Sequence, residues 1–250
     1  MGREVFQNAG IGVFESLSAW LRPQRFRRKV TISGLHHLVE AQQQDRSILL
    51  LGAHYTMLDL GGLLGSWFFK VDTVYRPQNN PLLEWIITRL RAPIYQQQID
   101  HDDMRKLVRA LKDKHVVWYT PDQDFGLKQG VMADFFGVDC LTSTLVSKLA
   151  QKTGCTVIGL SCLRRDDLAG FDVYCDLFDP QVADRDLSVA VTVLNHNMQQ
   201  MIVRAPEQYL WSYRRFKVAT DLEGLYRWDE AKVRQVAQDR VLDQSADQAQ

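Results

Sequence analysis

His54 and Asp59 stand five positions apart in the run Ser47-Ile48-Leu49-Leu50-Leu51-Gly52-Ala53-His54-Tyr55-Thr56-Met57-Leu58-Asp59. An imidazole whose Nδ1–H is held by a carboxylate keeps Nε2 free to accept a proton, which is the equipment of a general base. Such a pair can deprotonate a hydroxyl that attacks an activated acyl group, with no serine or cysteine nucleophile. On a straight helix residues at this spacing diverge by about 140°. The pairing therefore requires His54 in a strand-to-helix turn and Asp59 in the first helical turn. The same residues fit a helix N-terminus with a solvated His and an Asp at the positive end of the dipole. The H-x4-D spacing alone does not separate the two.

The surrounding pattern supplies the strand and the helix. Ile48 to Leu51 is an apolar run of strand length, Gly52-Ala53 permits a tight turn, and Leu60, Gly61, Gly62, Leu63 and Leu64 begin a helical pattern. An imidazole at the carboxyl end of a buried strand stands where open α/β sheets collect ligands. Asp72 to Tyr75 is a second strand, and it ends at Arg76. A guanidinium fork there suits a phosphate or carboxylate. Asn80 caps a helix with Pro81 at its first position, and Arg89 and Arg91 close that helix at the dipole's negative end. His115 to Thr120 is a third buried strand, ending in Pro121-Asp122-Gln123-Asp124. Carboxylates in that place orient a base, bind a cation, bond sugar hydroxyls, or simply form a turn.

The remaining pattern is α/β throughout. Val5 to Leu21 forms a broad apolar helical face stopped by Pro23, followed by Arg22, Arg25, Arg27, Arg28 and Lys29 without an acid. This is either a membrane-surface contact or a packed helix with a solvated basic turn. Leu35 to Gln43 and Met104 to Leu111 are helices, the latter opened by His101-Asp102-Asp103. An acidic first turn explains that triplet better than a metal site does. Phe135-Phe136-Gly137 lies in an apolar loop over 130–138, and Thr142 to Lys152 is a helix capped by Thr142 or Ser143 and ended by Gly154. Strands over 155–163 and 171–178 and a helix over 186–204 follow. Near the end, Trp211, Arg214 and Arg215 cluster as aromatic and cationic groups suited to a sugar phosphate or to packing on the sheet. The whole predicts a mixed, mostly parallel sheet flanked by helices.

Composition narrows the function classes. Lys plus Arg and Asp plus Glu each number 30 in 250 residues, so no global field points to nucleic acid. Cys140, Cys155, Cys162 and Cys175 fit no metal knuckle or C-x-x-C motif and read as buried thiols. No run approaches the ~18 apolar residues of a spanning helix, and the first residues do not open a signal peptide.

Four motifs in order are the His54 box, Tyr75-Arg76-Pro77-Gln78-Asn79-Asn80-Pro81, Trp118-Tyr119-Thr120-Pro121-Asp122-Gln123-Asp124-Phe125-Gly126, and the Ala205 to Lys217 segment. Together they resemble the late acyltransferases of lipid A biosynthesis, over roughly residues 10–217. The resemblance implies a fold like that of the glycerolipid acyltransferases, an acyl carrier protein as acyl donor, a Kdo-bearing lipid A precursor as acceptor, and no cofactor or metal. It implies His54 and Asp59 as catalytic pair, Arg89 as the match to a family arginine, and Asp122 in acceptor positioning or support of the His; with Arg76, Asp124, Arg214 and Arg215, read from their places in the chain, these make the expected substrate-binding set. It also implies work at the cytoplasmic face of the bacterial inner membrane, peripheral or monotopic. Many relatives carry Glu where this chain has Asp59, and they usually carry an N-terminal membrane helix before the region where this chain begins. The expected organisation is an amphipathic membrane-proximal helix and basic turn over 1–30, an acyltransferase domain over 31–217, and a surface helix with a disordered tail over 218–250. Rival readings are transfer to a lysophospholipid or aminoacyl lipid, a non-catalytic acyl-chain binder, and a hydrolase built on His54 and the turn aspartates.

Overall fold

The computed structural model describes residues 2–25, 30–123 and 130–216. A seven-stranded sheet runs through the centre in the order β1 (Val30–Ser33), β9 (Phe171–Leu177), β8 (Thr156–Arg164), β2 (Ile48–Leu51), β5 (Val116–Tyr119), β3 (Val71–Tyr75), β4 (Gln97–Asp100). Every neighbouring pair is parallel except β8 with β9. The expected mixed, mostly parallel α/β architecture is what the chain adopts. β2 sits in the middle with all four side chains buried, which is why its sequence is a continuous apolar run and not an alternating one.

Helices cover both faces. The side chains of α2 (Leu35–Gln43) and α3 (Leu58–Ser66) join Ile48, Leu50, Trp118 and Leu160 in one core, with Ala19 of α1 (Gly2–Leu21) at its margin. On the other face α5 (Met104–Lys112), α6 (Leu145–Thr153) and α7 (Leu187–Ile202) pack with Leu49, Leu51, Val117 and Val157. The fourth helix, α4 (Pro81–Arg91), begins where expected: the Asn80 side chain accepts from the Leu82 and Leu83 amides, and Pro81 occupies the first turn. All four cysteines are buried, and none forms a disulfide.

Three local expectations change. The stretch 130–138 is not a loop but part of a hairpin, β6 (Gly130–Phe135) with β7 (Val138–Ser143). Its two-residue turn, Phe136-Gly137, has φ of 58° and 78°, the left-handed pair that matches the twist of a hairpin. Because Thr142 and Ser143 belong to β7, α6 starts later and its N-cap residue is Thr144. The strand β4 was hidden, since Gln97-Gln98-Ile99-Asp100 is a polar edge strand with a single buried residue.

The segment after α7 closes the molecule. Gln208 exchanges two hydrogen bonds with the Arg164 backbone, and the Arg164 guanidinium pairs with Glu15 of α1 at 2.5 and 2.8 Å. α1 lies directly over the His54 loop, so closely that a Cβ at Gly12 would stand 2.3 Å from the Thr56 carbonyl oxygen. Arg215, expected at a substrate phosphate, is instead 3 % exposed. Its guanidinium donates to the Leu141 carbonyl and, at 2.9 Å, to Thr142 Oγ1, and it lies over the Phe135 ring. It fastens the closing segment to the β6–β7 hairpin, because a buried cation must find acceptors and these are the ones within reach. Arg215→Ala is therefore expected to destabilise by about 2–4 kcal/mol in chemical denaturation, from hydrogen bonds of a charged donor lost in the interior. Unchanged stability with weakened substrate binding would return Arg215 to the substrate.

Candidate active site at the carboxyl edge of the sheet

The parallel strands β2, β3, β4 and β5 all deliver their carboxyl ends to one edge of the sheet. His54 follows β2, Arg76 follows β3, His101 follows β4, and Asp122 and Gln123 follow β5. Between them lies a cleft of about 500 Å³, lined among others by His54, Leu58, Asp59, Arg76, Arg91 and Trp118. That volume lies in the range of small-molecule sites.

His54 is bonded on both nitrogens. Nδ1 stands 2.5 Å from Asp122 Oδ1, and Nε2 stands 3.0 Å from the Gln123 side-chain amide. The arrangement is satisfied when Nδ1–H donates to the carboxylate and Nε2 accepts from the amide, the tautomer a general base needs. Asp122 is buried, and its Oδ2 also accepts from the His54 backbone N–H at 2.8 Å and from the Tyr209 hydroxyl at 3.0 Å. Burial works against the imidazolium, but the charge and hydrogen bond of Asp122 outweigh it, and the His54 pKa is raised above the usual 6.5. Burial pushes the Asp122 carboxyl up, yet His54 and the remaining donors hold it below the ordinary carboxylate value.

The expected partnership of His54 with Asp59 is corrected. Asp59 does lie in the first turn of α3, but its carboxylate receives the Arg91 guanidinium, at 2.5 Å from Nη2 and 3.1 Å from Nε. The imidazole takes Asp122 because β5 runs beside β2 in register, Leu51 opposite Tyr119, so the two following loops emerge side by side. Asp59 remains in the wall of the cleft.

The other expected residues divide. Arg76 lines the cleft and is exposed to solvent. Arg89 does not line it: its guanidinium stacks 4.7 Å above the Trp85 ring on the outer side of α4. Arg91, two positions on, reaches the cleft, as residues two apart on a helix point to nearly opposite sides, about 200° round. Arg214 is exposed, and it is Tyr213 that lines the cleft. Asp124 and the turn over 26–29 lie outside the described residues, as does the tail from 217 onward. Tyr95, Tyr213 and Gln123 had no signal of their own in the sequence, since each is placed by long-range packing.

The acidic cluster after β4 brings ligand-type atoms of Asp100, His101 and Asp102 within 4.8 Å of one another. Asp103 serves α5 as its N-cap, accepting from the Lys106 amide at 3.0 Å, while the first turn of α5 itself holds no acid.

Comparison with known proteins bears on this site. A family model described as bacterial lipid A biosynthesis acyltransferase matches residues 1–218. The chain is 34 % identical over 218 residues to a lipid A biosynthesis palmitoleoyltransferase of Escherichia coli strain K12, covering 86 % of this chain and 70 % of that one. It is 32 % identical over 216 residues to a lipid A biosynthesis lauroyltransferase of the same organism, with 85 % and 70 % covered. A myristoyltransferase of that strain is 19 % identical over 197 residues, covering 78 % of this chain and 61 % of the relative. With the match spanning the helices, the sheet and the His54 cleft alike, this chain belongs to the bacterial lipid A biosynthesis acyltransferase family.

Proposed function

We propose that this protein transfers a fatty acyl chain from an acyl carrier protein thioester to a hydroxyl of a Kdo-bearing lipid A precursor, with His54 as general base. The hydrogen-bonded pair of His54 and Asp122 at the mouth of the cleft is the observation that carries this reading. The acceptor hydroxyl displaces the Gln123 amide from Nε2 and loses its proton to that nitrogen as its oxygen attacks the thioester carbonyl carbon. The carbon–sulfur bond then breaks, and the imidazolium returns the proton to the leaving thiolate. Asp122 keeps the ring in the right tautomer and stabilises the imidazolium.

Cations at the cleft suit an anionic acceptor. Arg76 presents an exposed guanidinium at one wall, and the Asp59–Arg91 pair forms another. Asp59 acts in this reading as the clamp that orients Arg91, and the Arg91 donors not used by Asp59 face the substrate.

The protein works at a membrane surface in this reading, supported by an apolar exterior beside the site. α1 exposes Phe6, Val13, Phe14 and Leu21, and α4 exposes Leu82, Leu83 and Trp85. The two helices meet where Arg91 stands 5.7 Å over the Trp20 ring, at the rim of the cleft. Among the described residues no helix is long and apolar enough to cross a membrane. An interfacial helix with such a face binds by partial burial in the headgroup region.

Replacing His54 by Ala is expected to lower turnover by about 10²–10⁴-fold or more while the protein stays folded. Retained turnover with purified acyl carrier protein thioester and lipid acceptor would remove His54 as the base. For wild type, activity rises with pH as His54 loses its proton, so the acid limb of kcat/KM lies above the usual histidine value of 6.5. In Asp122→Asn the limb moves to lower pH and the plateau falls; a limb that stays put would uncouple the two residues. Arg76→Ala is expected to raise the KM for a phosphorylated acceptor with little change in thermal stability. A lowered melting temperature with unaltered KM would make Arg76 a structural residue.

A further inference from the structure

A fatty acyl chain whose carbonyl carbon stands beside His54 Nε2 needs an apolar slot leading away from the polar mouth. Besides the polar Asp59, Arg91, Arg76 and His101, apolar groups including Val74, Tyr95, Leu58 and Trp118 line the cleft, and Leu58, at the start of α3, and Trp118 stand together beside Gly52.

Trp118 reaches that position because residue 52 lacks a side chain. A Cβ at Gly52 would lie 2.5 and 2.6 Å from Cη2 and Cζ2 of the indole, and 3.3 Å from Leu58 Cδ1. On the other side of the ring a Cβ at Gly61 would lie 3.6 Å from Cη2 and 3.7 Å from Leu160 Cδ2. The indole is thus wedged between β2 and α3, 4 % exposed, with Leu160 behind it. Leu160 is also a wall of a second space under the same helix, bounded by apolar residues including Leu50, Leu64, Gly65 and Phe68. That space is closed to about 10 Å³, room for about one water-sized sphere. Leu58 and Gly65 are seven residues apart on α3, so the two spaces are separated by about 10 Å of helix.

We propose that Trp118 is the end stop of the acyl slot and, with Gly52, sets the length of acyl chain the site accepts; the seam bounded by Leu160 and Leu64 lies where a longer chain would extend. The inference rests on the acyl-transfer reading above. It makes Trp118 a specificity residue, touching the far end of the alkyl chain and taking no part in proton transfer. The two residues then act in opposite directions. A smaller side chain at 118 opens the slot toward Leu160. A methyl group at 52 pushes the indole away from β2, and with Gly61 on its other side the free direction is the cleft itself, which shortens the slot.

The test measures kcat/KM of the purified protein with lauroyl, myristoyl and palmitoyl thioesters of acyl carrier protein and a lipid A precursor. Trp118→Leu is expected to raise the palmitoyl-to-lauroyl ratio by about tenfold or more, the scale on which a pocket discriminates a methylene. Gly52→Ala is expected to lower it, and Trp118→Phe to fall between Trp118→Leu and wild type. Ratios that do not move, or that move the same way in Trp118→Leu and Gly52→Ala, overturn the end stop. So does loss of turnover with every chain length in a Trp118→Phe variant that melts like wild type, because an end stop is not needed for the chemistry. A wild-type protein inert with all the thioesters removes the acyl-transfer reading and this one with it. An active wild type whose preference ignores all three substitutions removes the end stop alone.

Discussion

A buried carboxylate with three donors holds the site together. Asp122 accepts from the His54 ring, from the His54 backbone and from the Tyr209 hydroxyl. Those groups come from the loop after β2 and from the closing segment, so one side chain on the loop after β5 ties three parts of the chain to a single point. A charge this deep is costly unless its lone pairs are filled. The same requirement that stabilises the loops also places the imidazole. Further bonds reinforce the join: the Leu210 amide donates to the His54 carbonyl and the Thr56 amide to the Gln208 carbonyl, each at 2.9 Å.

The two carboxylates near His54 have separate partners, and the separation has electrostatic consequences. Asp122 pairs with a ring that changes charge on accepting a proton, whereas Asp59 pairs with a guanidinium that stays charged. If both acids faced the imidazole, its pKa would rise further and its fraction neutral near pH 7 would fall, which would weaken it in the base role proposed above. Binding Asp59 to Arg91 avoids this and fixes a cation at the cleft wall. In a chain whose formal charges cancel, that local arrangement, with Arg76 also lining the cleft, suits the anionic acceptor proposed above.

The cleft is lined by charged and apolar groups together, which suits the charged headgroup and alkyl chain of the proposed reaction. The charged groups come from residues after strands, from the first turn of α3 and from the end of α4. Leu58 of α3 and Trp118 of β5 supply apolar lining, and the glycines of α3 let that helix lie close on the sheet, Gly61 beside Trp118 and Leu160 and Gly65 beside Leu50 and Val71.

The sequence by itself determined the α/β class, the burial of β2, the capped start of α4 and the placing of His54, Arg76 and Asp122 at strand ends. Each of these depends on local information: an apolar run, an Asn-Pro cap, a Gly-Ala turn after a strand. Family membership was legible for the same reason, as the order of four short motifs survives without any knowledge of contacts. Tertiary structure alone decided which acid serves His54. Asp59 is five residues away and Asp122 is 68, yet the parallel register of β2 and β5 makes the distant one the neighbour. It also decided that Arg91 and not Arg89 enters the cleft, and that Arg215 is buried against the hairpin while Tyr213 faces the site. Those outcomes depend on which side of an element meets the core, and a spacing of two or five residues does not carry that information until the elements are packed.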